Sequence, residues 1–294
     1  MMQVRLLSPL PMAETTKIEW TDATFNAWIG CTKVSSGCDN CYAESLAIRR
    51  RWHDWKPDSP RKTMSDQYWR QPLRWNERAL ETYGRPMRVF CSSLADVFDP
   101  QAPGDQRERL WELIRATPNL NWLLLTKRPR LAAAMLPDDF SSVRWPNVWV
   151  GMTAEDQPNY DLRWKHMLEF DAAVRFVSYE PMIGPLELTQ TGDPPLPDWV
   201  IWGGESGRGA RDCRPRWARE ITAECIDLGI AVFGKQWGTY RSNPLVIEAG
   251  MSHREAGEVD PPSHGKGGAL LDGRLLREFP ARAEVIHSGQ QVLL

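Results

Sequence analysis

Three cysteines, Cys31, Cys38 and Cys41, lie within eleven residues in a C-x6-C-x2-C arrangement. Two thiolates separated by two residues can converge on one metal centre. Three on one loop, with no fourth ligand beside them, suit an iron–sulfur cluster that keeps one iron open. Structural zinc takes four protein ligands in a closed tetrahedron. Cys91, Cys213 and His53, the candidates for a fourth, all stand outside the loop. The spacing therefore ranks an iron–sulfur cluster ahead of zinc, and both ahead of a metal-free loop. Gly30 and Gly37 precede the first two cysteines and let the backbone turn there.

The elements that must position such a loop follow a repeated grammar. Short apolar runs at 24–29, 88–93, 122–126, 148–153, 174–178, 199–204 and 230–236 read as seven strands. Helical patterns are expected at 39–52 with Asp39 as N-cap, 67–83 closed by Gly84, 106–116, a short one ending at 135, 160–170 and 215–228. Apolar runs alternating with amphipathic helices mean parallel strands covered on both faces. The fold class expected is α/β: a (β/α) barrel, partial or irregular and TIM-like, with a C-terminal loop and β-hairpin extension. Residues 184–198 are Pro-rich and lack a helical pattern, so one crossover helix is expected to be missing. Residues 243–268 read as a long loop and 270–279 as a hairpin turning at Asp272-Gly273. The organisation expected is a disordered lead-in at 1–15, a barrel domain at 16–242 carrying a basic helical insertion at 49–87, and an extension at 243–294.

In a parallel barrel the chemistry gathers where the strands end. The residues following each run are the three cysteines; Ser92, Ser93 and Asp96; Thr126 and Lys127; Thr153 and Glu155; Ser178 and Glu180; Gly203, Gly204, Glu205 and Ser206; and Lys235. Lys127, Glu155, Glu180 and Lys235 are the candidate catalytic groups. The alternative for the two glutamates is a salt bridge to Lys127 or Lys235 across the mouth. Phosphate-loop and G-x-S-x-G motifs are absent, which argues against a nucleoside triphosphatase and a serine hydrolase.

Over the whole chain of 294 residues the net charge is −2, so no global excess points to nucleic acid or membrane. Locally the balance differs. Residues 49–78 carry nine Lys/Arg against four acids, with Trp52, Trp55, Tyr68, Trp69 and Trp75 interleaved. Basic and aromatic side chains together suit a phosphate backbone with unstacked bases, and Arg50, Arg70 and Trp69 are the candidate contacts. A solvated helical face over buried indoles is the alternative. The clustered cysteines indicate a reducing compartment, and no run approaches transmembrane length, so the location expected is cytoplasmic.

The runs Thr16-Lys-Ile-Glu-Trp-Thr-Asp, Gly37-Cys-Asp-Asn-Cys-Tyr-Ala-Glu, Leu124-Leu-Thr-Lys-Arg-Pro, Ser178-Tyr-Glu-Pro, Gly203-Gly-Glu-Ser-Gly and Gly234-Lys-Gln-Trp-Gly together carry a resemblance. They resemble phage and prophage three-cysteine-motif proteins, distant relatives of radical S-adenosylmethionine (SAM) enzymes. The resemblance implies a [4Fe-4S] cluster on Cys31, Cys38 and Cys41 that binds and reductively cleaves SAM. Ser92, Ser93, Asp96, Thr126, Thr153, Ser178, Gly203, Gly204, Glu205 and Ser206 would line the SAM site. The implied substrate is a modified, thymine-derived base in phage DNA or its nucleotide, and a reductase or flavodoxin would supply the electron. A metal-containing DNA- or partner-binding phage protein without catalysis is the alternative.

Overall fold

The computed structural model describes residues 16–189 and 195–281; the lead-in expected at 1–15 lies outside them. In chain order the elements begin with strands β1 (Ala23–Phe25) and β2 (Trp28–Ile29), helix α1 (Tyr42–Arg49) and strand β3 (Lys62–Thr63). Helices α2 (Asp66–Trp69) and α3 (Gln71–Tyr83) lead to β4 (Met87–Cys91), α4 (Gly104–Arg115) and β5 (Leu120–Thr126). Then come α5 (Pro129–Ala132), β6 (Val148–Thr153), α6 (Gln157–Met167), β7 (Val174–Tyr179) and β8 (Trp199–Gly203). The chain continues with α7 (Pro215–Leu228), β9 (Ala231–Gln236), α8 (Pro244–Ile247) and α9 (His253–Val259).

Seven strands form one parallel sheet in the order β1-β4-β5-β6-β7-β8-β9. Every neighbour pair runs parallel, so the βα connections all emerge at one edge. The first expected strand divides in two: β1 joins the main sheet, while β2 pairs antiparallel with β3. No helix occupies the described part of the β7–β8 connection.

The sheet is curled. Phe90 lies on β4 and Trp199 on β8, four strand spacings apart, or roughly 19 Å in a flat sheet. Yet the Trp20 indole meets both, with ring centroids at 4.6 and 6.3 Å. Leu123, Trp149, Phe176, Ile201 and Phe233 complete this concave apolar plug, and Phe279 closes it from below. A second, larger core fills the space between the convex face and the helices. β1 and β9 share no ladder, so the sheet is an open half-barrel and the closed TIM barrel does not form.

Local sequence sets the helix ends. Pro215 sits in the first turn of α7 and Gly229 stops it in the left-handed conformation at φ 69°. α6 starts where the Asp156 side chain accepts the Asn159 N–H. Cys41, rather than Asp39, occupies the N-cap of α1. The long loop expected at 243–268 instead holds two helices. α8 is capped by Asn243, and α9 by a capping box between Ser252 and Glu255. The expected hairpin is a tight Leu271–Arg274 turn, after which the chain runs antiparallel along the free edge of β9. Gly234 N–H donates to Leu276 O and Glu278 N–H to Val232 O, both at 3.1 Å.

Candidate functional site

Side chains alternate along a strand, so the plug residues fix which later residues share their face. Leu123 on β5 leads through Leu125 to Lys127, Trp149 on β6 to Thr153 and Glu155, and Phe176 on β7 to Ser178 and Glu180. Ile201 on β8 leads to Gly203, and Phe233 on β9 to Lys235. Above an apolar floor the half-barrel therefore carries a polar rim, and the four candidate catalytic residues stand on it. Lys235 Nζ lies 2.6 Å from Glu180, whose other oxygen is 3.4 Å from the Ser178 hydroxyl. Lys127 Nζ lies 4.0 Å from Glu155. Glu155, fully buried, is further bound by Arg163 at 2.6 Å and by the Ser35 hydroxyl at 2.7 Å.

The remaining expected residues take other positions. Thr126 donates to the Asp96 carboxylate at 2.8 Å, and Asp96 also pairs with Arg128 at 2.9 Å. Ser92 is buried beside Cys91, and Ser93 accepts from the Asn26 amide at 3.0 Å. Gly204 packs against the Trp237 carbonyl and the Cys213 thiol. Ser206 extends beyond the rim, where its hydroxyl accepts from Lys266 at 3.3 Å.

Across the rim lies the cysteine loop, held as a strap. Arg128 donates to Thr32 O at 2.6 Å, and Arg61, paired with buried Asp99, donates to the Thr32 hydroxyl at 2.6 Å. Gly37 sits so close to Glu155 that a Cβ there would overlap the carboxylate. Arg211 donates to Ser36 O at 2.9 Å, and the Asn40 amide donates to Glu205 at 2.9 Å. Burial opposes the charge on Glu205, but hydrogen bonds from Arg211 and Asn40 outweigh it and hold its pKa below the usual carboxylate range. Glu205 thus anchors the strap through Asn40 and Arg211.

The metal expectation is corrected by this arrangement. Among the described residues, no group of three or more His, Cys, Asp or Glu side chains is placed to hold a metal ion. The Cys31 thiol lies 3.4 Å from an Arg128 nitrogen, and burial, followed by the Asp96 charge, pushes its pKa up to about 11. Cys38 ends a short 3-10 turn and Cys41 caps α1, so the three follow the path of the strap. The [4Fe-4S] cluster on Cys31, Cys38 and Cys41, the SAM cofactor it would bind and the radical SAM activity are withdrawn on this geometry. The alternative of a metal-containing binding protein falls with them.

A cavity of about 190 Å³ opens under α1 at the β1 side of the groove. Tyr42, Trp52 and Tyr68 give it aromatic walls, Ile29 and Leu46 apolar ones, and Asn26 and Ser93 polar corners. It adjoins the strand ends: the Tyr42 hydroxyl donates to Ser93 O, just beyond β4, at 2.6 Å. The basic segment meets this region from outside. Arg50 and Arg70 are exposed, whereas Trp69 is 3% exposed, packed edge-on to Phe25 and covered by the Arg109 guanidinium. A base therefore has no free face of Trp69 to stack on. Trp55, Tyr68 and Trp75 are buried too, so of that segment's aromatics half-buried Trp52 and buried Tyr68 line the cavity. Sequence reasoning missed Asn26, Ser35, Asn40, Arg163 and Arg211. Each acts through partners 67 to 165 residues away, or in the case of Arg163 and Arg211 through a glutamate within one helix or loop, and such pairings carry no local motif.

Among the described residues no helix is long and apolar enough to cross a membrane. The sequence model of a family described as a protein of unknown function (DUF5131) matches residues 15–280. No curated protein and no solved structure matches the chain. These findings also correct the resemblance to phage three-cysteine-motif, radical SAM-like proteins. The matching family has no assigned chemistry, no phage or radical SAM relative is found, and the cysteines do not form the implied centre.

Proposed function

We propose, from the premise that the chain belongs to the DUF5131 family, that it binds a single nucleotide unit at the mouth of its half-barrel. We read the sheet as an incomplete (β/α) barrel, an architecture that takes its ligands at the C-terminal strand ends. The observation that carries the proposal is the cavity beside the charged rim. Its volume of about 190 Å³ falls below the ~300 Å³ at which drug-sized pockets begin, so it suits one ring system rather than an extended ligand. Trp52 and Tyr42 offer aromatic surface to a base, and Asn26 and Ser93 offer polar groups to its edge. Lys235 and Glu180 would meet the sugar or the reacting atoms, with Ser178 and Gly203 beside them. Lys127 and Glu155 would position the strap over the bound unit. Arg50 and Arg70, exposed outside the groove, would meet flanking phosphates if the unit is presented from a DNA strand.

Calorimetric titration of the full chain with the common mononucleotides tests this. Saturable binding is expected, weakened about tenfold by Trp52→Ala, as loss of one base-stacking partner implies. Lys235→Met should weaken it as well. Titrations with no heat for any nucleotide, or affinities indifferent to Trp52→Ala in a variant that melts like the parent, would overturn the proposal.

A further inference from the structure

Beyond the cavity and the rim, the molecule carries a basic group that nothing above uses. Lys266 lies in the run Gly265-Lys266-Gly267-Gly268, which folds against the end of β9. Gly265 and Gly267 have φ of +136° and +77°; a Cβ on the first would overlap the Lys235 carbonyl, and on the second the Thr239 backbone. The loop therefore reaches this position only with glycine there. Asp260, fully buried, fixes its far end by accepting the N–H groups of Ala269 and Leu270 at 2.9 Å. The Lys266 N–H donates to the Gln236 side chain at 3.3 Å.

So held, Lys266 projects towards a second glycine-rich run, Gly203-Gly204-Glu205-Ser206-Gly207, and its ammonium lies 3.3 Å from the Ser206 hydroxyl. It forms no ion pair among the described residues. The N–H groups of Ser206 and Gly207 likewise take no acceptor among the described residues. Partial burial first, and the charge of Lys235 second, lower the pKa of Lys266 from the ordinary lysine range. Lys235, paired with Glu180 at 2.6 Å, stands at the same end of β9, and Gly265 packs against its carbonyl. An anion entering there would meet the Lys266 ammonium, the Ser206 hydroxyl and the backbone donors of 206–207, with Lys235 on the rim side. Paired glycine-rich loops with outward N–H groups are a common way to cradle phosphate oxygens.

We infer that the facing loops 203–207 and 265–268 form an anion subsite, with Lys266, Lys235 and Ser206 as its side-chain donors. Resting on the nucleotide reading above, the inference assigns this subsite to the ligand's phosphate. It makes the C-terminal extension part of the site.

Inorganic pyrophosphate, which has no ring, separates the two readings. Titrated into the full chain and followed by 31P line broadening, it is expected to bind. Lys266→Met should weaken it about tenfold or more, as loss of a charge-assisted hydrogen bond implies. Ser206→Ala should weaken it less, and Arg216→Ala, on the outer face of α7, should leave it unchanged. Pyrophosphate binding that depends on Lys266, with mononucleotides gaining nothing over it and indifferent to Trp52→Ala, would uphold the subsite and overturn the ring pocket. Mononucleotide binding that needs Trp52 but ignores Lys266→Met would overturn the subsite alone. Absence of pyrophosphate binding, or equal affinity of parent and Lys266→Met, overturns the inference. Urea midpoints for each variant show that it is folded.

Discussion

Single residues decide which of the chain's charges are structural and which face outward. Asp22 is a clear structural case: Arg85 and Arg88 bind it at 2.8 and 3.1 Å, joining the segment before β1 to β4. Burial opposes its charge, but those hydrogen bonds prevail and lower its pKa from 3.8 to about 2. A depressed carboxylate pKa stabilises the fold above the unfolded value and loses that contribution as pH falls through the folded one. The depression corresponds to about 2 kcal/mol, fully present above pH ~5 and lost towards pH ~1. Urea midpoints of the parent and Asp22→Asn should therefore differ most near neutrality and converge on acidification. A gap that is constant with pH would mean that the pair carries no such linkage. The same scale shows where sequence reasoning stopped. The C-x6-C-x2-C spacing is visible in the chain, but the raised pKa of the Cys31 thiol comes from burial and then from Asp96, which only the fold brings to it. Glu155 and Glu180 are legible as strand-end carboxylates. That one is sealed under Ser35 and Gly37 while the other faces the groove is not legible.

At the scale of elements, the strap at 30–41 is tied by polar contacts to residues that follow three strands, β5, β6 and β8, and its internal backbone bonds are those of the short turn at Ser36–Cys38. Its stability is therefore borrowed from the sheet, and it should open before the sheet does. Asn40→Ala combined with Ser35→Ala removes the side-chain hydrogen bonds to Glu205 and Glu155. Amide exchange at 32–40 is expected to rise at least tenfold, with β5 and β6 amides unchanged. Faster exchange throughout the sheet would show that strap and sheet open as one unit. Elements with strong terminal signals were readable from sequence: α7 agrees from Pro215 to Leu228, because proline and glycine mark its ends. α8 and α9 were not, since their surroundings are rich in Gly and Pro. The Ser252-x-x-Glu255 capping box was the local signal available there.

The order of the seven parallel strands could be read from the alternation of apolar runs and helices, because each run is buried on both faces. A partial barrel was legible in the same alternation; how Trp20, Trp199 and Phe279 fill its concave side was not. An open half-barrel has a consequence for how molecules meet one another. The outer edge of β9 would be a row of unpaired backbone groups, the kind of surface along which separate chains join into sheets. Residues 274–279 cover it, with Leu276 and Glu278 bonded to Gly234 and Val232. A chain shortened to end at Gly273 should therefore scatter light increasingly with concentration, while the full chain does not. Equal scattering from the two would mean that another part of the surface keeps the edge from pairing. The segment that completes the fold on this view also keeps the protein from polymerising.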